Sequence, residues 1–239
     1  MPSPVRYCLP ICRGSWSQAL DTLRRSTDRF DRFELWIDRI TDDTGRPLDL
    51  DGLAPLLRTG SSLEPDRLIV VWGRPSDGRP PAPLAFDPAA LFPTLRQLPL
   101  TVDLDLDHQD ALLVELAAPA SDRPWRSIIS HHDFEATPCR SELDRKVDAM
   151  VAAGADIVKI ATRCRSPRDA LRLLDLGLDL RDRGQSHVVV GMGPHGVATR
   201  VLGPLWSSQW AYAPEAPDAA SAPGQLTRDT LARIFESLL

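Results

Sequence analysis

Short runs of branched apolar residues alternate along the chain with longer segments whose apolar positions recur every three or four residues. The runs are YCLPI (7–11), FELWI (33–37), LIVVW (68–72), LTVDL (100–104), SIIS (127–130), DIVKIA (156–161), HVVVGM (187–192) and a weaker SQWAYA (208–213). Near-continuous hydrophobicity over so few residues predicts strands buried on both faces, as in a parallel sheet covered by helices.

The intervening segments carry helix signals. Ser141 precedes ELDRKVDAMVAAG, with Asp144 three residues on in the manner of a capping box and Gly154 as a stop. Ser166 and Pro167 open RDALRLLDLGLDL in the order N-cap then first helical residue. A last helix starts near Thr227 and places Leu231, Ile234, Phe235 and Leu238 on one face. Strand and helix thus alternate about eight times, roughly every 30 residues, which predicts an α/β fold: one (β/α)8 barrel domain over residues 1–239. Pro and Gly gather in GRPSDGRPPAPLAFDP (73–88) and APEAPDAASAPGQ (213–225); the second follows the last strand, where a barrel carries its active-site loops, and is a candidate lid.

One residue breaks the apolar pattern. GADIVKIA (154–161) carries Lys159 inside a run where a charge is costly. Lys and Arg total 28, but only Lys146 and Lys159 are lysines, so one of the chain's two lysines lies in a hydrophobic strand. Such a side chain either snorkels its ammonium to water from a strand end or is a desolvated amine able to attack carbonyls.

Composition narrows the classes. With 43% hydrophobic residues, 26% charged and a net charge of −5, the chain reads as an ordinary globular protein without a basic nucleic-acid face. Any anionic ligand must then be held by local arginines. Cys8, Cys12, Cys139 and Cys164 form no CxxC pair and show no accompanying histidine spacing, so neither a metal site nor a disulfide framework is expected. No apolar run approaches the ~20 residues of a membrane span, and MPSPVRYCLPICRG lacks the apolar segment of a signal peptide. A cytoplasmic protein without membrane partners is the expectation.

In a barrel, chemistry sits where strands end. The fifth strand ends in SHHDFE, so that one of His131 and His132 points into the barrel while the other packs outside. The sixth carries Lys159, the seventh leads into GMGPHGVATR with Arg200, and the second carries Glu34 and Asp38. Each residue alone has a structural explanation: a packed histidine, a capping arginine. A lysine one strand from a histidine suits imine chemistry, in which the lysine condenses with a ketone and the histidine moves a proton on the adjacent carbon. For His131, His187 and His195, packing or solvated roles are expected.

SHHDFEATP, GADIVKIA, MGPHGVATRVLG and ASAPGQ, in this order and spacing, resemble type I 3-dehydroquinate dehydratase, a barrel lyase of the shikimate pathway; the resemblance runs from FELWID to the C-terminal end. It implies that Lys159 forms a Schiff base with the C3 ketone of 3-dehydroquinate and that His132 is the general acid/base. It further implies that Arg200 holds the substrate carboxylate, that Ser221 and Gln225 close over the ligand, that Glu34 lies near its hydroxyls, and that Arg74 is the substrate-binding arginine at the end of the third strand. A small-molecule substrate, no metal or organic cofactor, and a homodimer are implied as well.

The chain also departs from the family pattern. Trp36 stands where an arginine is usual, and it can supply neither the charge nor the fork of donors. After Arg74, RPSDGRP offers Asp77 one position before the usual histidine-orienting glutamate, whose place Gly78 takes. PLWSSQWAY replaces smaller residues. Two other readings therefore stand beside the dehydratase: a weakened or non-catalytic barrel of this family that binds an anionic cyclic acid, and a lysine-dependent lyase or aldolase acting on a related, less polar ketone.

Overall fold

A computed structural model describes residues 5–73, 84–116 and 124–239. Eight parallel strands, each followed by helical chain, curl into a TIM barrel: β1 (Tyr7–Ile11), β2 (Arg32–Trp36), β3 (Leu68–Val71), β4 (Thr101–Asp105), β5 (Arg126–Asp133), β6 (Ile157–Arg163), β7 (His187–Met192) and β8 (Ala211–Tyr212). Neighbouring strands follow chain order from β1 to β7, and β8 pairs with β1 through Tyr7 opposite Ala211 and Cys8 opposite Tyr212. Between β7 and β8 the backbone N–H of Gln209 donates to the His187 carbonyl at 2.9 Å, bringing the two ends of the sheet together.

The helices are α1 (Trp16–Ser26), α2 (Leu50–Leu63), α3 (Phe92–Leu95), α4 (Arg140–Ala152), α5 (Pro167–Asp182), α6 (Val197–Trp206) and α7 (Arg228–Leu238). Among the described residues, the third and fourth units carry the least regular helix. There the helical chain is a single α turn after a 3-10 turn at Pro88–Leu91, and a 3-10 stretch at Asp110–Leu116. Pro88 and Pro93 each stand at the start of a helical segment, where a missing backbone N–H is tolerated.

Helix starts follow the sequence at two of three places. Thr227 accepts from the Thr230 backbone N–H, and Asp169 accepts from the backbone N–H groups of Arg165 and Ser166 ahead of Pro167. Ser141 does not cap α4. That helix begins at Arg140 behind Cys139, whose backbone is extended, and Ser141 lies inside its first turn. On α7, Leu231 and Phe235 are buried and Ile234 is partly so, but Leu238 is 56% exposed at the fraying end.

Two apolar layers hold the barrel. Outward residues such as Leu9, Phe33, Leu35, Val70, Ile129, Val158, Ile160 and Val189 join the helices in the larger core. Inward residues Cys8, Ile69, Ile128, Ile157, Val188 and Tyr212 fill the barrel itself. Strict alternation therefore puts Lys159 between Ile157 and Ala161 on the inner face, and sends His132 inward and His131 outward. His131 bonds Asp107 at 2.5 Å, His187 is buried with Nδ1 2.8 Å from the Gln185 carbonyl, and His195 is exposed. No described helix is long and apolar enough to cross a membrane.

Candidate functional site

The inner face turns polar toward the carboxyl ends of the strands. Lys159 is not a snorkelling residue: it is 4% exposed, in mid-strand, and its Nζ lies 2.7 Å from Glu34 Oε1 and 3.0 Å from Asp103 Oδ2. Glu34 and Asp103 are buried as well. A buried cation needs such partners, since the cost of removing it from water is otherwise several kcal/mol. Glu34 is gripped further by Tyr212, whose hydroxyl donates to Oε1 at 2.8 Å, and by Trp36, whose indole Nε1 donates to Oε2 at 3.0 Å. The Arg39 guanidinium lies 4.2 Å from the Trp36 ring centroid.

His132 stands on the neighbouring strand, its Cα opposite that of Ala161, two residues beyond Lys159. Its Nδ1 lies 2.8 Å from Asp105 Oδ2, and its ring stacks on Phe134 at 6.3 Å between centroids. Asp105 is itself fixed. Its Oδ1 accepts from the backbone N–H groups of Asp107 and His108 and lies 2.7 Å from His108 Nδ1, in the turn directly after β4. A carboxylate at Nδ1 fixes the orientation of the ring and favours the tautomer with its proton on that nitrogen.

Arg200 is carried by the first turn of α6, which is drawn tightly against β7. A Cβ on Gly196 would lie 2.4 Å from the Gly191 carbonyl carbon, so only glycine permits this approach. Thr199 completes the join, its Oγ1 accepting from the Gly191 N–H at 2.7 Å and donating to the Gly196 carbonyl at 2.7 Å. Arg200 is 3% exposed, and burial pushes its guanidinium down to about 10, still a cation at neutral pH. Its Nη2 donates to the Pro223 carbonyl at 3.2 Å, its buried Nε has no partner, and no carboxylate among the described residues pairs with it.

The loop of residues 213–225 covers this end of the barrel. The Ser221 N–H donates to Gln225 Oε1 at 2.8 Å, Gln225 Nε2 donates to Ser221 Oγ at 3.0 Å, and the Gly193 N–H donates to the Pro223 carbonyl at 3.2 Å. Arg25 holds Glu215 at 2.7 Å.

One pocket brings these groups together. Glu34, Trp36, His132, Lys159, Arg200, Tyr212, Ser221 and Gln225 line it, with Phe134, Ala161, Val190, Met192 and Ala222 as apolar wall. Arg74 and Asp77 fall outside the described residues. Three residues absent from the sequence reading belong here: Asp103, Asp105 and Tyr212. The alternation in TVDLD, with Val102 and Leu104 outward, was the signal that puts both aspartates inside.

The type I 3-dehydroquinase family model matches residues 7–238. The chain belongs to the type I 3-dehydroquinase family. Among its relatives, the 3-dehydroquinate dehydratase of Haloarcula marismortui is 32% identical over 220 residues, covering 83% of this chain and 93% of that protein. The Methanosarcina mazei 3-dehydroquinate dehydratase is 38% identical over 142 residues, 55% of this chain; the match spans only 59% of that protein's length. In structure, the 3-dehydroquinate dehydratase of Geobacillus kaustophilus superposes with a TM-score of 0.80 at 20% identity, covering 99% of this chain and 91% of that one. The type I enzyme of Clostridium difficile, solved with covalently modified comenic acid, gives 0.78 at 21% identity, covering 98% and 92%. Family membership thus rests on the sequence, and the 3-dehydroquinase barrel on both.

Proposed function

We propose that this chain dehydrates 3-dehydroquinate to 3-dehydroshikimate through an imine on Lys159. The observation that carries this reading is a buried lysine and a carboxylate-held histidine on adjacent strands of one pocket, in a chain of this family. The deprotonated Nζ attacks the C3 carbonyl, whose oxygen leaves as water, and a protonated imine results. The imine draws electrons from the C2–H bond, and His132 takes that proton. With Nδ1 engaged by Asp105, the exchange falls to Nε2. The electron pair then expels the C1 hydroxyl, which departs as water with the proton returned by His132. Hydrolysis of the imine frees the product, so the net change is loss of one water.

Arg200 is a buried cation without an ion-pair partner among the described residues, which suits it to the substrate carboxylate. The loop of residues 213–225 acts as the lid, presenting Ser221 and Gln225 to the ligand, while Glu34 faces its hydroxyls; Arg74 is a further substrate-binding residue by the family pattern. Trp36 favours a second reading, a less hydroxylated cyclic keto acid, because its indole N–H is engaged by Glu34 and it brings no charge to the pocket. The protein works as a cytoplasmic homodimer on this reading, which light scattering tests.

The deciding experiment is intact mass after incubation with 3-dehydroquinate and borohydride, with the modified residue mapped. A reduced adduct on Lys159 that has lost one water establishes imine and dehydration together. An adduct retaining that water means elimination fails at His132. No adduct on folded protein overturns the reading.

A further inference from the structure

Tyr212 reaches the Lys159 cluster from the strand that completes the barrel. Its hydroxyl donates to Glu34 Oε1, the same oxygen that accepts from Lys159 Nζ, and the ammonium lies 4.7 Å from the centroid of its ring. Trp210 packs edge-on against that ring, with centroids 6.4 Å apart, so the phenol is held from behind. Burial, then the Glu34 carboxylate, pushes the phenol well above its ordinary range, and it stays a neutral donor.

We propose that Tyr212 is a positioning residue that sets, through Glu34, how tightly Lys159 is held; the inference rests on the imine reading above. A neutral O–H at Oε1 draws negative charge away from the ammonium without adding a charge of its own. Trp36 does the same at Oε2. Without the hydroxyl, Oε1 loses a neutral donor and more of its charge falls on the Lys159 ammonium, which is then held more strongly against attack on the ketone. Among the described residues, the other titratable groups around Lys159 include Asp103 of β4, His132 of β5, the thiol of Cys8 on β1, kept neutral by burial and Glu34, and Arg200 of α6 across the pocket.

Tyr212→Phe removes only the hydroxyl and leaves the ring over Nζ. The measurement is the rate of adduct formation on Lys159 with 3-dehydroquinate and cyanoborohydride as a function of pH, with folding followed by circular dichroism. The acid limb of the profile is expected to move up by about one pH unit, about a 10-fold slower reaction along that limb. In a Glu34→Gln background the same substitution is expected to leave the limb in place. An unshifted limb in folded Tyr212→Phe, whatever its overall rate, overturns the inference and makes Tyr212 a packing residue only. Absence of any adduct in the unaltered protein removes the imine reading and this inference with it, so the two failures are distinct.

Discussion

His132 Nδ1 lies 2.8 Å from Asp105 Oδ2, a carboxylate on the adjacent strand with no exposure to solvent. An amide in its place can offer N–H to that nitrogen and turn the imidazole to the wrong tautomer. Asp105→Asn is therefore expected to lower kcat by about 10²-fold or more, up to the roughly 10⁴-fold that general acid–base catalysis contributes, with KM little changed. Borohydride trapping distinguishes this from misfolding: the variant should accumulate the adduct that retains its water.

Arg200 is a buried cation whose Nε has no partner, so it presents charge and donors to a ligand. Arg200→Gln removes the charge while keeping a polar side chain. A charge-assisted hydrogen bond contributes about 1.5 to 3 kcal/mol, so KM for 3-dehydroquinate should rise about 10- to 100-fold. Steady-state kinetics checks this, and an unchanged KM would move the carboxylate site elsewhere.

Gly224 has φ 81°, and a Cβ there would lie 2.8 Å from the Gly193 carbonyl oxygen. Gly224→Ala should cost about 1 to 2 kcal/mol from the left-handed backbone alone. Moving the loop also displaces Gln225 and Ser221 from the pocket, so a rise in KM should accompany the lower melting temperature. Kinetics with thermal unfolding tests both.

His187 sits at the amino-terminal end of β7, where burial pushes its imidazole below the ordinary value of 6.5. The unfolded chain then binds more protons than the folded one between the depressed value and about 6.5. Stability contributed by this site is complete above about pH 6.5 and is lost as the solution is acidified through that window. The melting temperature of His187→Gln should accordingly fall less steeply than that of the unaltered protein between pH 7 and 5. Parallel curves would show that His187 does not titrate on unfolding.

Much of this was legible along the chain because it depends on local periodicity. Alternation along SHHDFE sends one histidine to each side of β5, and GADIVKIA sets Lys159 among residues that can only be buried. Proline and cap signals found α5 and α7, but not the start of α4, where the chain stays extended through Cys139 and the helix begins at Arg140, one residue before Ser141. The family motifs picked out Lys159, His132, Arg200, Ser221, Gln225 and Glu34, all of which line one pocket. Among the described residues the helical chain of the third and fourth units is short or 3-10, because alternation alone does not set how long each crossover helix becomes.

By itself, then, the sequence determined the strand count, the inward set on each strand and the oddity of a lysine in a dry run. Only the tertiary structure decided which inward groups touch. Asp103 holds Lys159 across 56 residues of chain, Tyr212 reaches Glu34 across 178, and Asp105 meets His132 across 27. Such partners are chosen by strand order, register and closure of the barrel, which bring distant residues into hydrogen-bonding distance. Periodicity says which way a side chain points, and only the folded sheet says what it meets there.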